Sequence, residues 1–337
     1  MICDPKPFVD NARGVNSVML KWLDRHQIAL YLGSIALGAA IGLLAPGSAA
    51  VLEVSIHPVI AVMLFATFLG VPLINVGRAF LDVRFLLTVL VVNFLLVPAL
   101  VFGLSRFVAG DQALLLGVLL VLLTPCVDYV IVFTGLAGGA RARLLAAAPL
   151  LMLLQLLFLP AYLWLFAGPE TTDLIEVEPF IEAFLFLIVI PLIAAALVQW
   201  WARNARPGRA IEAAMAAAMV PLMMATLGVV VGSQIAAVGS KLGQLLAVIP
   251  IYVVFAMVML VVGIFAGRAA RLDVASVRAL VFSGATRNSL VVLPLALALP
   301  AAFALTPLVV VTQTLVELVA MVAFVKLVPR LVPAEPR

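Results

Sequence analysis

The stretch TPCVDYVIVFTGLAGG, residues 124–139, sets a proline, a cysteine and an aspartate within four positions of a chain that is otherwise close to continuous hydrocarbon. Pro125 has no backbone N–H to give and its ring clashes with the preceding turn, so a helix running through it must open. A charge at mid-bilayer costs at least about 2.5–3.5 kcal/mol, so Asp128 requires a partner or a wet cavity. Cys126 is either a small buried hydrophobe or, beside such an opening, a ligand for a soft, thiophilic solute. The stretch reads as the broken centre of a transmembrane helix, and that reading organises the rest of the chain.

Working outward, 66% of the 337 residues are hydrophobic and 11% charged, with a mean hydropathy of +1.29. This is the composition of a polytopic membrane protein. The net charge of +4 is spread as short basic clusters between apolar runs, which excludes a nucleic-acid surface. Cys3 and Cys126 are too far apart to suggest a disulfide, and no metal-ligand spacing or cofactor motif is present. The expected partners are membrane lipid and a small-molecule solute. Residues 1–26 carry no short apolar region with a cleavage site, so no removable signal peptide is expected.

An apolar helix needs about 20 residues to cross a bilayer. On that measure the chain has ten spans, at 27–46, 57–77, 85–105, 112–137, 144–167, 180–202, 211–235, 243–267, 274–299 and 303–329. Seventeen of the twenty basic residues then fall on one side, and Arg106 and Lys241 on the other, beside an acidic 168–179 loop. The positive-inside rule puts both termini in the cytoplasm. The last base, Arg287, lies inside the ninth span.

Ten spans divide into halves of five, and an odd number per half forces the second half to be inverted. The expected organisation is an N-terminal segment 1–26, a first repeat 27–167, an external loop 168–179, a second repeat 180–329 and a tail 330–337. The fourth span of each half is the unusual one. Opposite Pro125 and Cys126 stands SGATRNS, residues 283–289, where Gly284 relaxes the chain and Arg287, Asn288 and Ser289 bring polar groups to mid-membrane. Both spans are expected to be discontinuous and to cross, with their polar groups lining a shared site.

Asp128 and Arg287 either neutralise each other as a packing pair or line that site, and the two readings overlap in a gate. Glu317, in VVVTQTLVELVAM (309–321), shares a helix face with Gln313 and Thr314. It is either an interhelical contact or a proton or substrate ligand, as Asp128 also is. Asn93, Gln155, Ser233 and Gln234 are uncharged and read as interhelical hydrogen bonds. An intramembrane enzyme is disfavoured: His26 and His57 lie at span ends and Asp128 has no second aspartate within the membrane.

In this order and at these positions, several motifs resemble the bile acid/sodium symporter superfamily, and most closely its arsenite efflux permeases. They are VPLINVGRAFLD (71–82), VNFLLVPALVFGL (92–104), TPCVDYVIVFTGLAGG, LLMLLQLLFLPAYLWLF (150–166) and TLVELVAM (314–321). The resemblance implies ten helices in inverted halves, a core and a panel domain, and crossing broken helices 4 and 9. It implies that Cys126 matches the cysteine required for arsenite, and Glu317 the tenth-helix glutamate. It further implies that Ser283 stands where the sodium-coupled branch has a glutamate, and Arg287 where it has a glutamine. A fixed cation there argues against a sodium site. The implied activity is arsenite export by alternating access, driven by protons or membrane potential; the other cargo expected on this fold is a small organic anion anchored by Arg287.

Overall fold

The computed structural model describes residues 16–45, 47, 49–71, 82–127, 129–168, 185–238 and 242–334. Regular structure among them is helical throughout. α1 (Asn16–Leu44) and α2 (Ala49–Gly70) come first; α3 (Val83–Val91) continues through a π turn (Val92–Leu96) into α4 (Val97–Ser105). α5 (Gln112–Leu122), α6 (Tyr129–Leu136) and α7 (Arg141–Ala167) follow. The chain continues with α8 (Ile190–Ala202), α9 (Arg206–Val238), α10 (Leu242–Ala269), α11 (Val274–Ala285), α12 (Ser289–Leu297) and α13 (Thr306–Leu331).

Five of the described helical runs are long and apolar enough to span a bilayer alone: 83–108, 141–167, 206–233, 243–269 and 306–331. Shorter apolar helices lie at 29–44, 54–70, 112–122, 190–202 and 274–285. The chain is a multi-pass membrane protein. The boundaries differ locally from the sequence expectation. Arg206 and Arg209, expected in a loop, open α9. The 112–137 and 274–299 runs are each two helices.

The helices sort into two groups by their contacts. α1, α2, α8 and α9 pack chiefly on one another, and α3–α7 pack with α10–α13. Lipid gives helices no hydrophobic reason to associate, so close packing must do it. α1 and α9 achieve this through facing glycine pairs. A Cβ on Gly38 would lie 2.3 Å from Gly228 O, and one on Gly42 2.2 Å from Gly232 O. Gln199 of α8 caps the C-terminal end of α2, donating from Nε2 to Val71 O at 2.6 Å and to Phe68 O and Leu69 O at 3.1 Å. Phe68 O also accepts from Val71 N at 3.2 Å, and the side chain adds a donor where the helix end runs out of its own.

In the second group the π turn precedes Pro98, which cannot donate to Phe94 O four residues back. The Tyr162 hydroxyl of α7 donates to that carbonyl instead, at 2.6 Å. The wide turn also carries Asn93, fully buried, toward α11.

Candidate functional site

Two helices stop in the middle of the second group, each for a local reason. α5 starts at Asp111, whose Oδ1 accepts from Ala113 N and Leu114 N, and ends at Leu122. Pro125 cannot donate to Val121 O; the Thr124 hydroxyl, 3.1 Å from both Leu120 O and Val121 O, donates there instead. α11 starts at Asp273, whose Oδ1 accepts from Ser276 N, and ends at Ala285, after which Thr286 is extended. Thr286 Oγ1 donates to Phe282 O at 2.7 Å, and Asn288 Oδ1 accepts from Val291 N to begin α12. Gly284 lies inside α11, so its role is room: a Cβ there would meet Met259 Cε at 2.9 Å and Val92 Cγ1 at 3.2 Å.

The two extended segments pair with each other. Pro125 and Arg287 form an isolated antiparallel bridge. Cys126 N donates to Thr286 O at 3.4 Å, and Asn288 N donates to Thr124 O at 2.8 Å. The two bonds interchange under a shift of 162 residues, the interval from Thr124 to Thr286 and from Asp111 to Asp273. The crossing thus has a local two-fold axis passing between Pro125 and Arg287. Breaking two helices exposes backbone groups that lipid cannot satisfy; here each segment satisfies part of the other.

Arg287 is completely buried, as are Ser283, Thr286 and Cys126. Its Nη2 donates to Asn93 Oδ1 at 2.9 Å, Ser283 O at 2.8 Å and Gly284 O at 2.6 Å. Nη1 lies 3.4 Å from Leu122 O, at the long end of a hydrogen bond. The Phe255 ring faces the guanidinium, 5.4 Å from centroid to Cζ. The guanidinium therefore sits among oxygen acceptors from α3/π turn, α5 and α11, at the ends of both broken helices. Helix C-termini carry partial negative charge, which favours a cation there.

Glu317 of α13 secures the same segment from the other side. Its Oε2 accepts from Arg287 N at 2.7 Å and from Gln313 Nε2 at 2.5 Å. Thr314 Oγ1 donates to Ser289 Oγ at 2.8 Å. The shared face read from sequence for Gln313, Thr314 and Glu317 is thus the face toward the crossing. Cys126, Arg287, Asn288, Ser289 and Glu317 are gathered in one buried cluster. Asp128 lies outside the described residues, and its expected pairing with Arg287 with it.

The uncharged candidates divide. Asn93 bridges helices, adding a bond from Nδ2 to Ser283 Oγ at 3.1 Å to its contact with Arg287. Ser233 bonds within its own helix, to Val230 O. Gln155 is buried, and among the described residues neither of its amide atoms has a hydrogen-bond partner, nor does Nδ2 of the buried Asn288. The interhelical role expected for Gln155 is not what the structure contains.

At the end of this group that holds the N-terminus of α11, sequence reasoning missed a polar clasp. Arg143 Nε lies 3.0 Å from Asp82 Oδ2, and its Nη1 bonds Asp273 and Ser276. Arg143 thereby joins the N-caps of α3 and α11. Partial burial pushes the Asp273 carboxyl up, but the Ser276 N–H, Arg143 and the Ser276 hydroxyl outweigh it and hold it below its ordinary value. Arg278 Nη1 donates to Ala137 O at 2.9 Å and Nη2 to Val332 O at 2.9 Å, tying the ends of α6 and α13. The pairing of aspartate caps with distant arginines carries no local sequence signal.

No individual curated protein matches the chain. The model of the sodium bile acid symporter family matches residues 57–245, which takes in the first crossing segment and stops short of the second. Since that match spans more than half of the 337 residues and falls on the apolar helices described above, the chain belongs to the sodium bile acid symporter family.

Proposed function

We propose that this symporter-like carrier exports arsenite, or a similar thiophilic metalloid, from the cytoplasm by alternating access, in exchange for protons or driven by membrane potential. The observation that carries the reading is the position of Cys126: it is held at the crossing by its own backbone bond to Thr286 O, one residue from the axis that relates the two segments. A soft sulfur at that point is a fitting ligand for arsenic(III), which is uncharged and hydroxylated near neutral pH. Asn288 and Ser289 flank the same crossing and supply a polar lining; Asp128, two residues after Cys126 in the sequence, is the further group assigned to it on this reading.

Glu317 is the preferred proton site. Its Oε2 holds the Arg287 backbone N–H, so a proton arriving at the carboxylate weakens the hold on one crossing segment. That couples protonation to the element expected to move. Arg287 supplies a fixed positive charge among Asn93 Oδ1 and helix-end carbonyls, where a small metal cation would otherwise find ligands. Transport on this reading needs no sodium. The same bonds weigh against the organic-anion alternative, because the guanidinium is already engaged by protein oxygens.

The architecture we favour is ten transmembrane helices in two inverted five-helix repeats, 27–167 and 180–329, with both termini in the cytoplasm and the chain in the inner membrane. Its support is the 162-residue interval, at which α5 maps onto α11 and α7 onto most of α13, together with the distribution of basic residues. The test is arsenite tolerance and export in an arsenite-sensitive host. The parent chain is expected to confer both and Cys126→Ser neither. A parent that confers no tolerance removes arsenite as cargo; a fully active Cys126→Ser removes the sulfur ligand.

A further inference from the structure

Gln155 lies at the centre of α7, on the stripe formed by Leu144, Ala148, Leu151, Met152, Leu159 and Leu163 that the helix buries. The opposite face, with Leu157 and Trp164, is exposed at 68% each. The helices in contact with α7 include α5 and α6, on either side of the first break, and α11, which leads into the second. The buried stripe therefore packs on the helices that lead into and out of the crossing. Gln155 itself is 1% exposed, and among the described residues neither its Nε2 nor its Oε1 has a hydrogen-bond partner. A buried carboxamide left unpaired costs roughly 1–3 kcal/mol per unsatisfied group, so such a residue needs a reason to be there.

The repeat interval supplies the reason. Gln155 and Glu317 are 162 residues apart, as are Thr124 and Thr286. By that interval Gln155 corresponds, in the half that holds Pro125, to Glu317 in the half that holds Arg287. Glu317 is satisfied there by the N–H of Arg287. The residue matching Arg287 is Pro125, which has no N–H to give. The contact that holds Glu317 in place is chemically impossible for Gln155, and the side chain is left with one acceptor and two donors on the buried face of α7.

We infer that Gln155 is a solute-binding residue, hydrogen-bonding through both ends of its amide to an uncharged, hydroxyl-bearing substrate at the Pro125–Cys126 side of the crossing. Hydroxyl groups donate and accept, matching a carboxamide that does both, whereas an anion would use only its donors and a cation only its acceptor. The substrate class rests on the reading of the previous subsection; the placement of Gln155 in the solute path does not.

The test uses the full-length protein, with Gln155→Leu and Gln155→Cys. Leucine removes the unsatisfied amide at similar volume. Gln155→Leu is expected to unfold at the same temperature as the parent or higher, while the KM for arsenite export rises about tenfold, the loss of one to two neutral hydrogen bonds. A lowered unfolding temperature shows a structural partner, and an unchanged KM shows no solute contact; either overturns the inference. Gln155→Cys is placed in a Cys3→Ser, Cys126→Ser background and treated with a membrane-impermeant thiol reagent. Labelling is expected, and its absence puts residue 155 outside the solute path. Should the parent fail to export arsenite, the cargo assignment falls, while labelling and unfolding temperature still decide the place of Gln155.

Discussion

Arg287→Met tests whether a buried cation holds the two broken helices together. Methionine keeps most of the length and apolar volume, so the cavity left is small and the change is mainly electrostatic. Lost with the guanidinium are bonds to Asn93 Oδ1, Ser283 O and Gly284 O at 2.9, 2.8 and 2.6 Å, and the weaker approach to Leu122 O at 3.4 Å. Three hydrogen bonds to a charged group, at about 1.5–3 kcal/mol each, would sum to roughly 5–9 kcal/mol. They share one nitrogen and are not additive, so the figure of about 3–5 kcal/mol for removing one member of a buried charged set is the better expectation. Glu317 supplies the internal control. If its charge is offset by Arg287, then adding Glu317→Gln to Arg287→Met recovers part of the loss, with a coupling of about 1–3 kcal/mol. The assay is equilibrium unfolding of the four proteins in one detergent. Loss below about 1 kcal/mol for Arg287→Met, or additivity of the two substitutions within about 0.5 kcal/mol, refutes the electrostatic account.

Further consequences follow from other parts of the fold. Gly38→Leu or Gly228→Leu should destabilise by about 1–3 kcal/mol in the same unfolding assay, because a Cβ on Gly38 would lie 2.3 Å from Gly228 O; Gly33→Leu, with nothing within 4 Å, should be near neutral. Tyr162→Phe leaves Phe94 O without its hydroxyl donor and should cost about 1–3 kcal/mol, with an altered amide exchange rate around the π turn as a local readout. Asp273 has its carboxyl held below its ordinary value in the folded protein, so its contribution is complete above the ordinary carboxylate range and is lost as pH falls through the folded value. Its side chain is 53% exposed, which keeps that contribution to about 1 kcal/mol or less. Asp273→Asn should flatten the acid limb of stability, seen as a shallower fall in unfolding midpoint below about pH 4.

What the sequence could and could not declare follows from the range of the forces involved. The interruptions after Leu122 and Ala285 were legible because their causes are local: a proline that cannot donate, and polar side chains that lipid does not tolerate. The shared face of Gln313, Thr314 and Glu317 was legible from helical spacing alone. The partners of Arg287 were not, because Asn93 is 194 residues away and offers only a neutral oxygen. Arg278 falls within the 274–299 span, but nothing local shows that it spends its donors on the ends of α6 and α13. The facing glycines of α1 and α9 had a signal in the paired spacing Gly38 to Gly42 and Gly228 to Gly232, which hydropathy alone does not weigh. Gln155 reads as an interhelical bond because most polar residues in membrane helices make one; that Pro125 stands where Glu317 has the Arg287 N–H emerges only from the 162-residue interval of the crossing.

The most direct test of the central claim is arsenite accumulation in proteoliposomes holding the purified protein, under an imposed proton gradient and in sodium-free buffer. The expected result is accumulation by the parent that collapses with the gradient, is unaffected by added sodium and is abolished by Cys126→Ser. No accumulation above protein-free liposomes, or accumulation that requires sodium, would contradict the account.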